Sequence, residues 1–158
     1  SLVGSEMCIR DSLITDPKKR FQKKMGFIDF SELNEYTNEI IKKFNVKTTG
    51  VSALASSLSG GNLQKFVVGR EIGQKPSLFI VNQPTWGVDA LSAANIRQAI
   101  VEIANNGAAI ILISQDLDEI LEISNKVAFL TNGNLSIPTN TAEIKTDEIV
   151  AIMGGISD

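Results

Sequence analysis

Apolar residues recur every three or four positions in three segments of the chain, the spacing of an amphipathic helix. The first runs from Ser31 to Phe44, the second follows Gly60-Gly61, and the third runs from Ala90 to Asn106. Gly69 lies inside the second helix, where a glycine costs about 1 kcal/mol relative to Ala, so we expect a close helix crossing there. The residues predicted to face inward are Leu33, Tyr36, Ile40, Ile41, Phe44, Leu63, Phe66, Val67, Ile72, Ile96, Ile100 and Ile103.

Short, wholly apolar runs separate these helices. Ser77–Val81 and Ala108–Ile113 have the composition of strands buried on both faces, which is typical of parallel sheets. A short helix over Asp116–Ile123 and a strand over Lys126–Thr131 follow, and Asn132-Gly133 favours a hairpin turn. The order strand, helix, strand, helix, strand predicts a mainly parallel α/β sheet flanked by helices, with an antiparallel hairpin at its edge. A last helix is predicted over Thr146–Met153.

Composition narrows the function classes. The 158 residues are 43% hydrophobic, enough for the core of one domain, and the net charge of −3 gives no case for nucleic-acid binding. Histidine is absent and Cys8 is the single cysteine, which excludes histidine chemistry and an internal disulfide. No apolar run reaches the roughly 18–20 residues of a membrane helix.

Residues 1–12 have no clear periodicity and resemble a translated cloning adaptor. We therefore expect 1–12 to be a sequence artefact and exclude them from the fold prediction. An ordinary flexible start is the alternative.

The segment Leu58–Gln64 reads Leu-Ser-Gly-Gly-Asn-Leu-Gln and opens a predicted helix. Glycines allow backbone N–H groups to approach a phosphate, a serine hydroxyl adds a donor, and a helix N-terminus adds positive potential. Ser-Gly-Gly alone is equally compatible with a plain glycine turn before a helix. The longer string, continued by Gly69-Arg70-Glu71, is far more specific.

This string is similar to the signature motif of ABC-type ATPases. The resemblance continues in order through Leu78–Val81 (Walker B strand), Pro84–Asp89 (D-loop segment), Ile113–Glu119 (switch region) and Asn125–Gly133. It implies a partial P-loop NTPase domain over 13–158, with helical subdomain and signature helix at 13–75 and an α/β part at 76–158. The motif sequences most resemble those of the second ATPase domain of tandem nucleoside or basic-membrane-protein-type importers. Simple-sugar importers are the nearest relatives of that group.

The chain departs from the family at the end of the Walker B strand. The family has an Asp-Glu pair there, for the metal and the attacking water, and a switch histidine further on; this chain has Asn82, Gln83 and Gln115. Trp86 replaces a usual arginine. We therefore expect no catalytic residue in the chain's own degenerate site and no metal held by it. A reassigned mechanism using Asp89 or Asp116 is the alternative.

No glycine is followed by lysine, so the phosphate-cradling Gly-x-x-x-x-Gly-Lys loop is absent from these residues. We read the chain as an N-terminally truncated piece that is inactive by itself.

The resemblance implies a role in trans. Ser59, Gly60, Gly61, Asn62 and Gln64 would contact or support ATP held by a second ABC ATPase domain, expected upstream in the same polypeptide. Asp89 would lie at the domain interface. ATP and Mg²⁺ are the cofactors expected in the intact complex.

The other expected partners are transmembrane permease subunits and a substrate-binding protein, with no nucleic acid. The location would be cytoplasmic and peripheral, on the inner face of the membrane. Two rival functions stay open: a non-transport ABC ATPase, and a regulatory binding module derived from an ATPase.

Overall fold

The structure, a computed structural model, describes residues 6–15, 21–23 and 26–144. The chain divides into two compact units between Ile111 and Leu112.

Three helices build most of the first unit, and each begins at a polar capping residue. Asp29 accepts N–H bonds from Ser31 and Glu32, and Ser59 and Asp89 cap the next two helices in the same way. The predicted helices are confirmed to within one or two residues. Their bounds are Phe30–Lys43 (α1), Gly60–Gly73 (α2) and Ala90–Asn105 (α3), with short 3-10 segments at Arg10–Thr15 and Ala55–Ser57.

The helices α1 and α2 cross closely at Gly69. A Cβ added at Gly69 would lie 2.5 Å from the ring of Phe44 and 2.9 Å from Ile40. The expected close crossing is therefore confirmed. Burial on α2 differs from the predicted stripe. Phe66 and Ile72 are buried as predicted and Leu63 and Val67 are only half-buried, whereas Lys65, Val68 and Arg70 are buried without having been predicted.

The sheet of the first unit consists of β1 (Leu78–Asn82) and β2 (Ala109–Ile113), joined through α3; β2 ends in the second unit. The two strands are parallel hydrogen-bonded neighbours. On β1, Phe79 and Val81 point into the core, whereas Leu78 and Ile80 are 52% and 59% exposed. The prediction that both faces are covered is wrong for both strands. Nothing in the described part of the chain covers the second face of β1, and no residue of β2 is buried, with Ile111 and Ile113 about half exposed.

The second unit contains helix α4, Leu117–Ile123, which begins at Asp116 as predicted. The predicted strand Lys126–Thr131 is wrong as one element. It is divided into two short strands that pair antiparallel with different later segments: Lys126–Val127 with Thr139–Asn140, and Leu130–Thr131 with Asn134–Leu135. Neither half is a hydrogen-bonded neighbour of β1 or β2.

Four two-residue strands result, paired antiparallel as β3 with β6 and β4 with β5. Their bounds are Lys126–Val127 (β3), Leu130–Thr131 (β4), Asn134–Leu135 (β5) and Thr139–Asn140 (β6). The predicted turn between β4 and β5 is confirmed, with φ of 51° at Asn132 and 80° at Gly133. The helix predicted at Thr146–Met153 lies outside the described residues.

Residues 6–12 pack against the first unit. The N–H of Ile9 donates to the carbonyl of Ala53 at 2.9 Å, and the Ile9 side chain is fully buried. Packing does not test the origin of this segment, so its assignment as an artefact stays a prediction, as do the subdomain bounds 13–75 and 76–158. None of the described helices combines the length and apolar character needed to cross a bilayer.

Candidate functional site

Ser59 opens α2 and organises the turn before it. Its backbone is extended (φ −62°, ψ 155°), and its hydroxyl accepts bonds from the N–H and side-chain amide of Asn62, at 3.4 and 2.9 Å. The side-chain oxygen Oδ1 of Asn62 accepts a hydrogen bond from the backbone N–H of Lys47 at 2.8 Å. Because the Ser59 oxygen is the acceptor in both bonds, its proton remains available to a ligand. Asn62 thus holds the turn in place, and its role toward ATP stays a prediction.

The two glycines after Ser59 have different surroundings. They are the first residues of α2, whose N–H groups have no acceptor within the helix. A Cβ added at Gly60 would meet no atom within 4 Å, so the space in front of Gly60 is open. One added at Gly61 would lie 2.5 Å from the carbonyl oxygen of Gly87. Gly60 therefore leaves room for a ligand, whereas Gly61 is required by packing against the segment after β1.

Gln64 connects α2 to the end of β1. Its side-chain amide donates to the carbonyls of Gln83 and of buried Pro84, both at 3.3 Å. These bonds hold residues 83–84 against the first turns of α2. Gln64 therefore joins the first turns of α2 to the end of β1, and its role toward ATP stays a prediction.

Lys65 and Asp89 form the next contact along α2. The Lys65 ammonium donates to the carbonyl of Asn45 at 3.0 Å and lies 3.7 Å from the Asp89 carboxylate. Asp89 caps α3 and accepts the hydroxyl of Ser92 at 2.7 Å and its N–H at 3.0 Å. The Ser92 hydroxyl bond is the largest cause that lowers the pKa of Asp89, from 3.8 to about 2. Such a weakly basic carboxylate is a poor proton acceptor at neutral pH, which argues against Asp89 as a substitute catalytic base.

The residues described above line an open cleft of about 570 Å³ in the first unit. The start of α2 lies on one side, and Trp86, whose side chain is 78% exposed, lines the cleft as well. The lining residues are Lys47, Ser59, Gly60, Gly61, Asn62, Gln64, Lys65, Trp86, Gly87, Val88 and Asp89. The sequence prediction missed Lys47, Lys65, Gly87 and Val88 as lining residues, and it noted Trp86 only as a departure from the family.

Asn82, Gln83 and Gln115 are the amide residues that stand where the resemblance implies two carboxylates and a histidine. Asn82 ends β1 and is exposed, and Gln83 follows with a positive φ of 51°. Gln115 is exposed in the second unit, two residues after β2. Asp116, the other candidate substitute base, caps α4 by accepting the N–H of Glu119 at 3.2 Å.

These groups do not fit a magnesium site. Mg²⁺ in nucleotide sites is held through one or two carboxylates, and Asn82 and Gln83 offer neutral amides. Within residues 6–144, wherever the structure is described, no group of three His, Cys, Asp or Glu side chains could hold a metal ion.

No model of a known protein family matches the chain. Among curated proteins, it is 36% identical over 132 residues to the nucleoside import ATP-binding protein NupA of Lactococcus lactis. It is 33% identical over 142 residues to the galactose/methyl galactoside import ATP-binding protein MglA of Escherichia coli. These matches cover 84% and 90% of the chain.

Solved structures agree with these matches. The chain superposes on the dimeric ATP-binding cassette MJ0796 bound to ADP and Pi with a TM-score of 0.73, at 16% identity, over 88% of the chain and 59% of the cassette. An ATP-binding subunit of an ABC transporter gives a TM-score of 0.72 at 18% identity, over 99% of the chain and 60% of that subunit.

The chain belongs to the ABC-type ATPase family. The predicted fold class, a partial ABC ATPase domain with mixed helices and parallel strands, is confirmed. The chain spans about a quarter of the length of its curated ABC relatives, 26% of NupA and 28% of MglA.

Proposed function

We propose that this ABC-type ATPase segment is part of the energy-coupling subunit of an importer and supplies its signature turn in trans. In this role Ser59, Gly60 and Gly61 contact the phosphates of ATP held by a second ATPase domain. The observation that carries the proposal is the open space at Gly60, beside helix N–H groups without an intrahelical acceptor and a Ser59 hydroxyl that is the acceptor in both of its bonds with Asn62.

The chemistry of this turn suits a polyphosphate. Backbone N–H groups at a helix N-terminus and a hydroxyl donor stabilise negative charge, and fixed donors need no reorganisation as charge develops. The side-chain hydrogen bonds of Gln64 and Asn62 hold the turn in place. Asp89, in the same cleft, is placed to lie at the interface with the second ATPase domain and help couple the two sites.

The chain's own nucleotide site is degenerate in this proposal. Asn82, Gln83 and Gln115 stand where the family has a metal ligand, a base and a switch histidine, and amides neither accept a proton nor neutralise Mg²⁺. Loss of a general base alone typically lowers the rate by about 10²–10⁴-fold. ATP and Mg²⁺ therefore act at the other site, in which the second ATPase domain holds the nucleotide.

The importer assignment rests on the relatives. Proteins named for nucleoside import and galactose import match most of the chain, which favours a nucleoside or simple sugar as the transported molecule. The partners proposed are a second ATPase domain upstream in the same polypeptide, transmembrane permease subunits and a substrate-binding protein. The subunit would lie on the cytoplasmic face of the membrane.

The test is ATP turnover by the intact importer carrying Ser59→Arg. We expect turnover to be abolished, because the guanidinium fills the space in front of Gly60 and removes the hydroxyl donor. Ser56→Arg is the matched control, since Ser56 is exposed and lies outside the cleft. Turnover that survives Ser59→Arg rules out the trans role.

A second substitution tests the degenerate site. Gln83→Ala should change turnover of the intact importer by less than about tenfold, because an amide has no base function to lose. A larger loss means that the local site takes part in hydrolysis.

A further inference from the structure

The chain contains two Asn-Gly pairs, Asn106-Gly107 and Asn132-Gly133. All four residues are exposed, and both glycines have a positive φ, of 96° and 80°. An asparagine before a glycine is chemically labile, because no side chain on the glycine shields its backbone nitrogen. The two pairs therefore share their residue types and their access to water, and hydrogen bonding is what distinguishes them.

The pair Asn106-Gly107 is hydrogen-bonded to the end of α3. The side-chain amide of Asn106 donates to the carbonyl of Glu102 at 2.8 Å, and the N–H of Gly107 donates to the carbonyl of Ala104 at 2.9 Å. The first bond fixes the orientation of the Asn106 amide, and the second directs the N–H of Gly107 toward the helix. Both bonds must open before the glycine nitrogen can attack the side-chain amide carbon of Asn106.

The pair Asn132-Gly133 forms the turn between β4 and β5, with positive φ values of 51° and 80°. Within the residues that the structure describes, neither the side-chain amide of Asn132 nor the N–H of Gly133 takes part in a hydrogen bond. The two strands that hold the turn are two residues long each, so the hairpin opens locally at little cost. The glycine nitrogen and the amide carbon are therefore free to approach each other.

We propose that Asn132 is a modification site, at which the chain converts to aspartate and isoaspartate without an enzyme, whereas Asn106 is protected by its hydrogen bonds. The backbone nitrogen of Gly133 attacks the side-chain amide carbon of Asn132 and gives up its proton. The bond from that carbon to Nδ2 breaks, and Nδ2 leaves with the proton as ammonia. The cyclic imide that remains is opened by water at either of its two carbonyls, which yields aspartate or isoaspartate.

The modification changes both the charge and the backbone of the hairpin. Either product replaces a neutral amide with a carboxylate, which makes the net charge of −3 more negative by one unit. Isoaspartate also inserts a methylene group into the main chain of the turn. Because β4 and β5 pair Leu130 with Leu135 across this turn, a longer connection disturbs their register. The modification is independent of the proposed function, since it needs no nucleotide and no second domain.

The test is peptide mapping by mass spectrometry of the folded 158-residue chain during incubation at mildly alkaline pH, which favours loss of the Gly133 proton. The converted fraction at each asparagine is followed with time. We expect Asn132 to convert about tenfold faster than Asn106 or more; tenfold corresponds to about 1.4 kcal/mol, which two hydrogen bonds supply. Equal rates at the two positions, or faster conversion at Asn106, overturn the proposal.

The same incubation in concentrated urea is the control for the effect of the fold. The bonds at Asn106 are open in the unfolded chain, so the two rates should come within about threefold of each other. A preference for Asn132 that persists unchanged in urea comes from the neighbouring residues in the sequence and contradicts protection by hydrogen bonds.

The products test the chemical route. Chromatography separates the peptides that contain aspartate from those that contain isoaspartate, and a cyclic imide gives both at Asn132. Direct hydrolysis of the amide by water gives aspartate alone, and aspartate as the single product would therefore exclude attack by the Gly133 nitrogen.

Discussion

Replacing Gly61 with alanine tests whether the turn at the start of α2 packs against the loop between β1 and α3, residues 83–89, as it does in the structure. The added Cβ would lie 2.5 Å from the carbonyl oxygen of Gly87 and 3.5 Å from its carbon. The contact must lengthen by at least about 0.5 Å to reach 3.0 Å, below which Cβ contacts are essentially not found. Neither side is a flexible side chain, so the backbone of the turn or of the loop has to move.

The cost of that movement follows from what holds the two segments. The bonds from Gln64 to the carbonyls of Gln83 and Pro84 resist a shift of the loop, and the Ser59 cap resists a shift of α2. Overpacking a filled site costs about 1–3 kcal/mol, and we expect about 2 kcal/mol here. This lowers the folding equilibrium constant about 30-fold.

The assay is urea unfolding of the chain followed by helical circular dichroism. A loss of about 2 kcal/mol moves the midpoint down by about 1 M at an m-value of about 2 kcal/mol/M. Gly60→Ala is the matched control: with no atom within 4 Å of the new Cβ, it should be neutral or stabilise by up to about 1 kcal/mol. A Gly61→Ala midpoint equal to that of the wild type, or equal losses in both variants, would refute the reasoning.

Two further substitutions test other contacts of the first unit. Gly69→Ala should lower the free energy of unfolding by about 1 kcal/mol, because the clash with Phe44 exceeds the gain of about 1 kcal/mol in helix propensity; urea unfolding that shows stabilisation contradicts the close crossing. Asp89→Asn should reduce the loss of folding stability that occurs as the pH falls from 3.8 to 2. The folded-state pKa of Asp89 is lowered to about 2, so its contribution to stability is present above pH 3.8 and is lost as pH falls toward 2. Circular dichroism followed against pH measures the acid unfolding, and Asp118→Asn, at an exposed position, is the control. If Asp89→Asn unfolds in acid as the wild type does, the bonds between Asp89 and Ser92 do not stabilise the fold.

Local sequence signals were sufficient for most elements of the fold. The helical spacing of apolar residues predicted α1, α2 and α3, because this signal lies within the segment itself. The pairing of short strands was not predictable in the same way. The segment Lys126–Thr131 divides because its two ends pair with different later segments, Thr139–Asn140 and Asn134–Leu135, and no local periodicity indicates such pairings.

The candidate site shows the same division between local and distant contacts. The Ser-Gly-Gly string predicted the turn at the start of α2, whose contact with phosphate stays a proposal, and it suggested the same role for both glycines. The requirement at Gly61 comes from Gly87, which is brought near only by the tertiary fold. The burial of Lys65 likewise depends on a carbonyl at Asn45 and a carboxylate at Asp89, so helical periodicity could not indicate it.

The most direct test of the central claim is a cryo-EM structure of the intact importer trapped with a non-hydrolysable ATP analogue and Mg²⁺. The distance that decides is the one from the Ser59 hydroxyl oxygen to the nearest γ-phosphate oxygen of the nucleotide held by the second ATPase domain. We predict a hydrogen bond of about 2.5–3.0 Å, with the Gly60 N–H directed at the same phosphate. A trapped complex in which Ser59 faces solvent, and no residue of this chain contacts the partner's nucleotide, would contradict the account.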